Sequence, residues 1–224
     1  MKTVSWGLNM RKQKSLLQNR KNIIYLTQLG LYTAILLLFF FTPLGLLKIG
    51  LVSVTFYTIP VVIGAVMLGP AAGGMLGFVF GFLTFITAPT DPLFQFVFNR
   101  NIFLAAAIAI IPRVCAGLFA GLAAKAFARK DTLRLPSYFL SGLIGSLTNT
   151  VLFISAALLF TKYILAPVLS EWGAAGDIAY KGWNIFWLGI GTTNGIPEAV
   201  ICTIVCGAVL IPLKQTERKL ITRT

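Results

Sequence analysis

FLAAAIAIIPRVCAGLFAGLAAKAF, residues 103–127, carries two charges, Arg113 and Lys125, in an otherwise apolar run. As a helix at about 1.5 Å per residue it reaches roughly 37 Å, enough to cross a hydrocarbon core of about 30 Å. Its apolar residues are continuous rather than alternating, which selects a spanning helix over a barrel strand. Working outward, similar runs occupy about Tyr25 to Leu46, Leu51 to Leu68, Ala71 to Ala88, Tyr138 to Phe160 and Trp183 to Leu213. The last is long for one straight crossing and holds Gly195 and Pro197, so it is expected to be tilted or broken. The fold class expected is an all-α membrane protein with six transmembrane helices.

Composition leads to the same class. The 224 residues are 57% hydrophobic and 11% charged, against about 25% charged in soluble domains. A surface so apolar needs lipid as its solvent. The expected organisation is a basic N-terminal tail at 1–22, a six-helix membrane domain at 23–213 and a basic C-terminal tail at 214–224. That leaves no room for a soluble catalytic domain.

The net charge of +13 is read as topogenic charge on cytoplasmic segments, and no nucleic-acid partner is expected. With both termini inside, fourteen of the nineteen basic residues are cytoplasmic: those of the N-tail, Lys125 at the inner end of its span, and those of the 128–136 loop and the C-tail. Lys48, Arg100, Lys162 and Lys181 fall outside, and Arg113 lies within a span. This asymmetry supports six crossings in a multi-pass cell-membrane protein. There is no histidine, and Cys115, Cys202 and Cys206 all lie in apolar runs. They read as small packing residues, with no metal site or cofactor expected.

Gly69, Gly73, Gly77 and Gly81 recur every four residues, as do Gly117 with Gly121 and Gly191 with Gly195. Such stripes let helix backbones approach closely; a surface for a partner is the functional alternative. No GxxxxGK[ST] loop occurs, so the chain carries no ATP-binding P-loop of its own.

Arg113, Asn149 and Glu198 stand where lipid would penalise them. Counted from the outer ends of their spans, they lie roughly 15, 16 and 22 Å deep, so all three can meet within the bundle. One reading is an Arg113–Glu198 ion pair bridged by Asn149. The other is a polar pocket in which Arg113 offers its fork to a ligand carboxylate and Asn149 bonds an amide or hydroxyl. Pro112 frees a backbone acceptor beside Arg113. Asn194, one helical turn before Glu198, joins the candidate substrate-binding residues. So do Gln95 and Asn99, polar anchors in a phenylalanine-rich outer segment.

Several segments resemble a known family. Lys48-Ile49-Gly50, Ile59-Pro60-Val61-Val62-Ile63-Gly64, Met67-Leu68-Gly69-Pro70-Ala71-Ala72-Gly73-Gly74 and Ile111-Pro112-Arg113-Val114-Cys115-Ala116-Gly117-Leu118 are similar to the S components of energy-coupling factor (ECF) transporters. The resemblance spans about residues 23–213. It implies a six-helix subunit that captures a vitamin from outside and docks on a T subunit coupled to two ATPases, which bind the ATP. It implies no enzyme activity in this chain. The family's first helix presents an Ala-xxx-Ala face to the T subunit, approximated here by Gly30 and Ala34. The Pro-Arg block with an asparagine in the next helix is most similar to the pantothenate-type branch. Folate-type and pyridoxine-type members share the framework. A stand-alone proton-coupled carrier and an intramembrane enzyme are the other classes; the first lacks visible duplicated halves, the second lacks acid–base candidates.

Overall fold

A backbone in lipid must satisfy its own hydrogen bonds, and these apolar runs do so as helices. The computed structural model describes residues 2–42, 45–49, 52–90, 92–127 and 134–221. Among the described residues, five helical segments are long and apolar enough to cross a bilayer: Gln18–Phe41, Pro70–Thr87, Ile102–Phe127, Leu135–Ser170 and Ala174–Glu217. The chain is therefore a multi-pass helical membrane protein.

In chain order, α1 (Lys2–Phe41) leads to a hairpin of β1 (Leu46–Ile49) and β2 (Val52–Thr55), then α2 (Thr58–Leu68) and α3 (Pro70–Thr87). A 3₁₀ turn (Ala88–Thr90) precedes α4 (Pro92–Arg100) and α5 (Ile102–Phe127). The rest is α6 (Arg134–Phe160), a π-helical turn (Thr161–Leu165), α7 (Ala166–Ser170) and α8 (Ala174–Ile221). The strands pair antiparallel, Leu46 opposite Thr55 and Ile49 opposite Val52, so Thr55 lies at the root of the hairpin.

Two differences from the expected spans bear on the site. The second run is helical only over Thr58–Leu68, and its earlier part is strand and turn. Eleven residues rise about 16 Å, so α2 stops partway through the membrane. Furthermore, the expected polar connection at 161–182 is largely helical, and α8 runs unbroken through Gly195 and Pro197. Lys162, Asp177 and Lys181 do not break a helix; the turn falls at Gly173, whose φ of 59° suits glycine.

Glycine sets the helix contacts. A Cβ added at Gly73 would run into the Gly117 carbonyl, one at Gly77 into the Arg113 carbonyl, and one at Gly81 would lie 2.7 Å from Ile110 Cα. These stripes are thus internal packing surfaces between α3 and α5, with backbones in direct contact. Gly191 and Gly195 likewise face Ile154 and Thr150 of α6. Gly69 makes the α2–α3 turn at φ 103°. On the opposite face of α3, Met75, Phe78, Phe82 and Ile86 are exposed at helical spacing, the pattern of a lipid-facing stripe.

Candidate functional site

The packing contacts determine which residues are level with one another. A Cβ at Gly117 would meet Val61, and one at Gly121 would meet the Ala65 carbonyl, so α2 and α5 run side by side in one direction. One further turn brings Arg113 level with Tyr57, at the start of α2. Gly145 of α6 faces Ala116 and Ala120, so antiparallel α6 reaches the height of Arg113 near Asn149. Gly142 lies against Cys202 and Thr203 while Gly195 lies against Thr150, which puts Asn149 opposite the turn of α8 that bears Glu198. Arg113, Asn149 and Glu198 therefore converge at the N-terminal end of the short helix. Non-helical backbone at such a depth is tolerated where it is enclosed by protein or lines a watered cavity.

Arg113 is held by three groups. Its Nη1 donates to the Ile108 carbonyl at 3.0 Å. That carbonyl would accept from residue 112 in an ordinary helix, but Pro112 has no N–H to give. The guanidinium also lies 5.0 Å from the ring centre of Phe153 and 5.6 Å from that of Phe80, within cation–π range. Its Nε is buried and has no hydrogen-bond partner among the described residues. A charged donor held in place with its buried Nε–H unspent can bind an anion.

Two more buried atoms share that condition, Asn149 Oδ1 and Ser146 Oγ, both on α6. Each such orphan costs about 1–3 kcal/mol, which makes the three candidates for contact with a ligand. Ser146 was not apparent from sequence, because a hydroxyl in a membrane helix ordinarily bonds back one turn. Ser141 does so, to the Ser137 carbonyl at 2.6 Å; Ser146 does not.

Glu198 is only 7% exposed, yet both its oxygens are used. Thr58 Oγ1 donates to Oε1 at 2.8 Å, and Thr55 Oγ1 donates to Oε2 at 2.5 Å. Its charge is near enough to interact with that of Arg113. Even so, the two side chains form no ion pair; among the described residues the ion pair is Lys214–Glu217, at 2.8 Å. The bridged Arg113–Glu198 pair is thus not the arrangement adopted.

The other candidates lie farther out. Gln95 and Asn99 are exposed on α4, while buried Val97 of that helix packs with Ile108 and Ala109 of α5. Asn194 is half-buried one turn from Glu198. Gly30 and Ala34 are exposed on α1, and a Cβ at Gly30 would touch nothing within 4 Å. Cys115, Cys202 and Cys206 are free thiols, with Cys202 and Cys206 buried 3.7 Å apart.

Chemically, the arrangement suits a small monoanion. A carboxylate would accept from Arg113 Nε, and a hydroxyl or amide N–H elsewhere on the ligand would donate to Asn149 Oδ1.

Comparison with known proteins narrows the class. Residues 25–210 match the family model described as ECF transporter, substrate-specific component. The chain is also similar to the Pantothenic acid transporter PanT of Lactococcus lactis subsp. cremoris (strain MG1363), 28% identical over 180 residues, which cover 73% of this chain and 79% of that protein.

Proposed function

Since the chain belongs to the family of ECF transporter substrate-specific components, we propose that it binds pantothenate from outside the cell and delivers it through a T subunit and two ATPases. Arg113 takes the carboxylate, and Asn149 accepts a hydrogen bond from the amide or a hydroxyl. The observation that carries this reading is that Arg113 Nε and Asn149 Oδ1, on the adjacent helices α5 and α6, are both buried and without a hydrogen-bond partner among the described residues. The similarity to a pantothenic acid transporter supports the same ligand. Gln95, Asn99 and Asn194 belong to the outer approach to the site.

ATP is bound and hydrolysed by the partner ATPases, and this chain contributes no catalytic residue or cofactor. The T subunit docks along α1 at Gly30 and Ala34. That helix is largely uncovered, with 6% of its apolar window buried, and Gly30 leaves space for another backbone to approach.

The test is equilibrium binding of radiolabelled pantothenate to the purified protein, with folate and pyridoxine as competitors. Pantothenate is expected to saturate one site, with neither competitor displacing it at equal concentration. Displacement by folate or pyridoxine would move the assignment to that vitamin.

A further inference from the structure

We infer that Glu198 is a positioning residue, which fixes the root of the β1–β2 hairpin and through it the aromatic floor beneath Arg113, without itself touching the ligand. This rests on the ligand-binding reading of Arg113 given above.

The four residues from Thr55 to Thr58 join the hairpin to α2, and they are held from two sides. On one side, Glu198 of α8 accepts from the hydroxyls of Thr55 and Thr58. These partners are 143 and 140 residues away in sequence, so the two bonds tie the first third of the chain to the last. On the other side, Tyr57 packs its ring against Phe80 at 5.4 Å, and Phe80 lies against the Arg113 guanidinium. Between them, the Phe56 N–H donates to the Gly45 carbonyl at 2.9 Å, closing the hairpin at its base.

Each half of this arrangement has a physical purpose. Thr55 and Thr58 sit on either side of a two-residue bend, Phe56-Tyr57, where the chain changes from strand to helix. One carboxylate that accepts from both fixes the angle of that bend, because its two oxygens are held apart by a rigid carbon. Placing the anion at the start of a helix is also favourable electrostatically. The bend in turn sets Tyr57 against Phe80. Among the described residues the Arg113 side chain has one hydrogen bond, and its remaining support is the rings of Phe153 and Phe80, so its aim depends in part on where Phe80 stands. A carboxylate with each oxygen bonded to a protein hydroxyl is held in place by the protein itself, with no ligand needed to fix it.

The experiment compares Glu198→Ala, the double variant Thr55→Val with Thr58→Val, and Thr55→Ser with Thr58→Ser, all in the full chain in lipid nanodiscs. Two readouts are taken: pantothenate affinity, and ligand-free hydrogen exchange of the backbone amides at residues 56–65. The valine pair keeps Glu198 and every candidate ligand contact, but removes the two donors. It leaves both Glu198 oxygens unsatisfied, and is expected to weaken binding roughly tenfold, the scale of one of these two losses, and to speed exchange at 56–65. Glu198→Ala is expected to do the same, the two changes being non-additive when combined. The serine pair, which keeps both hydroxyls, is expected to restore both readouts. Loss of affinity in Glu198→Ala with none in the valine pair would overturn the inference and make Glu198 a ligand contact. Unchanged exchange in the valine pair would overturn it as well. Failure of the wild-type protein to bind pantothenate would refute the ligand assignment instead, and the exchange measurement alone would then decide the anchoring role.

Discussion

An alanine at Gly117 tests whether packing and binding are one system. The new methyl carbon would run into the backbone carbonyl of Gly73 and come within 3.1 Å of Val61 Cγ1. A carbonyl in the middle of a helix cannot rotate away, so α3 and α5 must separate. Overpacking of this kind costs about 1–3 kcal/mol, a change of roughly 5- to 150-fold in the ratio of folded to unfolded protein. Helix propensity acts the other way, since alanine is favoured over glycine by up to about 1 kcal/mol. Gly30→Ala provides the control: it gains the same propensity and meets nothing within 4 Å. The difference between the two variants therefore isolates the packing cost. The assay is unfolding of the purified proteins by a denaturing detergent, with pantothenate affinity measured in parallel. Because Gly77 rests on the carbonyl of Arg113, separation of the helices shifts the guanidinium from Phe80, so affinity is expected to fall along with stability. Equal stability in Gly117→Ala and Gly30→Ala would refute the reasoning.

Further outcomes follow from the site and the open helix. Asn149→Ala is expected to weaken pantothenate binding by about 2- to 13-fold, the range for one neutral hydrogen bond, as judged by competition binding. Ser146→Ala removes a hydroxyl that has no partner; it is expected to raise thermal stability, and a drop in affinity would add Ser146 to the ligand's contacts. Gly30→Leu with Ala34→Leu is expected to abolish co-purification with the T subunit while leaving pantothenate affinity unchanged. Intact co-purification would move the docking face elsewhere.

Much of this molecule is legible in its sequence because lipid simplifies the reading. Long apolar runs are mostly helices, and polar residues inside them turn toward the protein interior. Arg113, Asn149 and Glu198 were thus identifiable, and depth alone allowed them to meet. The shortness of α2 was hidden because Leu51–Leu68 carries no charge and is mostly apolar, and hydropathy does not distinguish a strand from a helix. The signal was in Val52-Ser53-Val54-Thr55, an alternating β-branched run suited to a hairpin. The partners of Glu198 could not be read either. An ion pair with the nearest buried cation is the economical expectation. Two threonine hydroxyls 140 residues or more away become available only once the hairpin brings them to α8. Gly73, Gly77, Gly81, Gly117 and Gly121 showed that backbones would touch, but only the fold shows that they touch beside Arg113.

The most direct test of Arg113 as the carboxylate receptor is a two-by-two binding measurement. Wild type and Arg113→Ala are each titrated with pantothenate and with the alcohol in which its carboxylate is replaced by hydroxymethyl. Truncating one member of a buried charge pair costs about 2–5 kcal/mol, or roughly 30- to 5,000-fold in affinity. The expected result is that wild type prefers pantothenate over the alcohol by a factor in this range, and that Arg113→Ala binds the two alike. An undiminished preference for the carboxylate in Arg113→Ala would contradict the account.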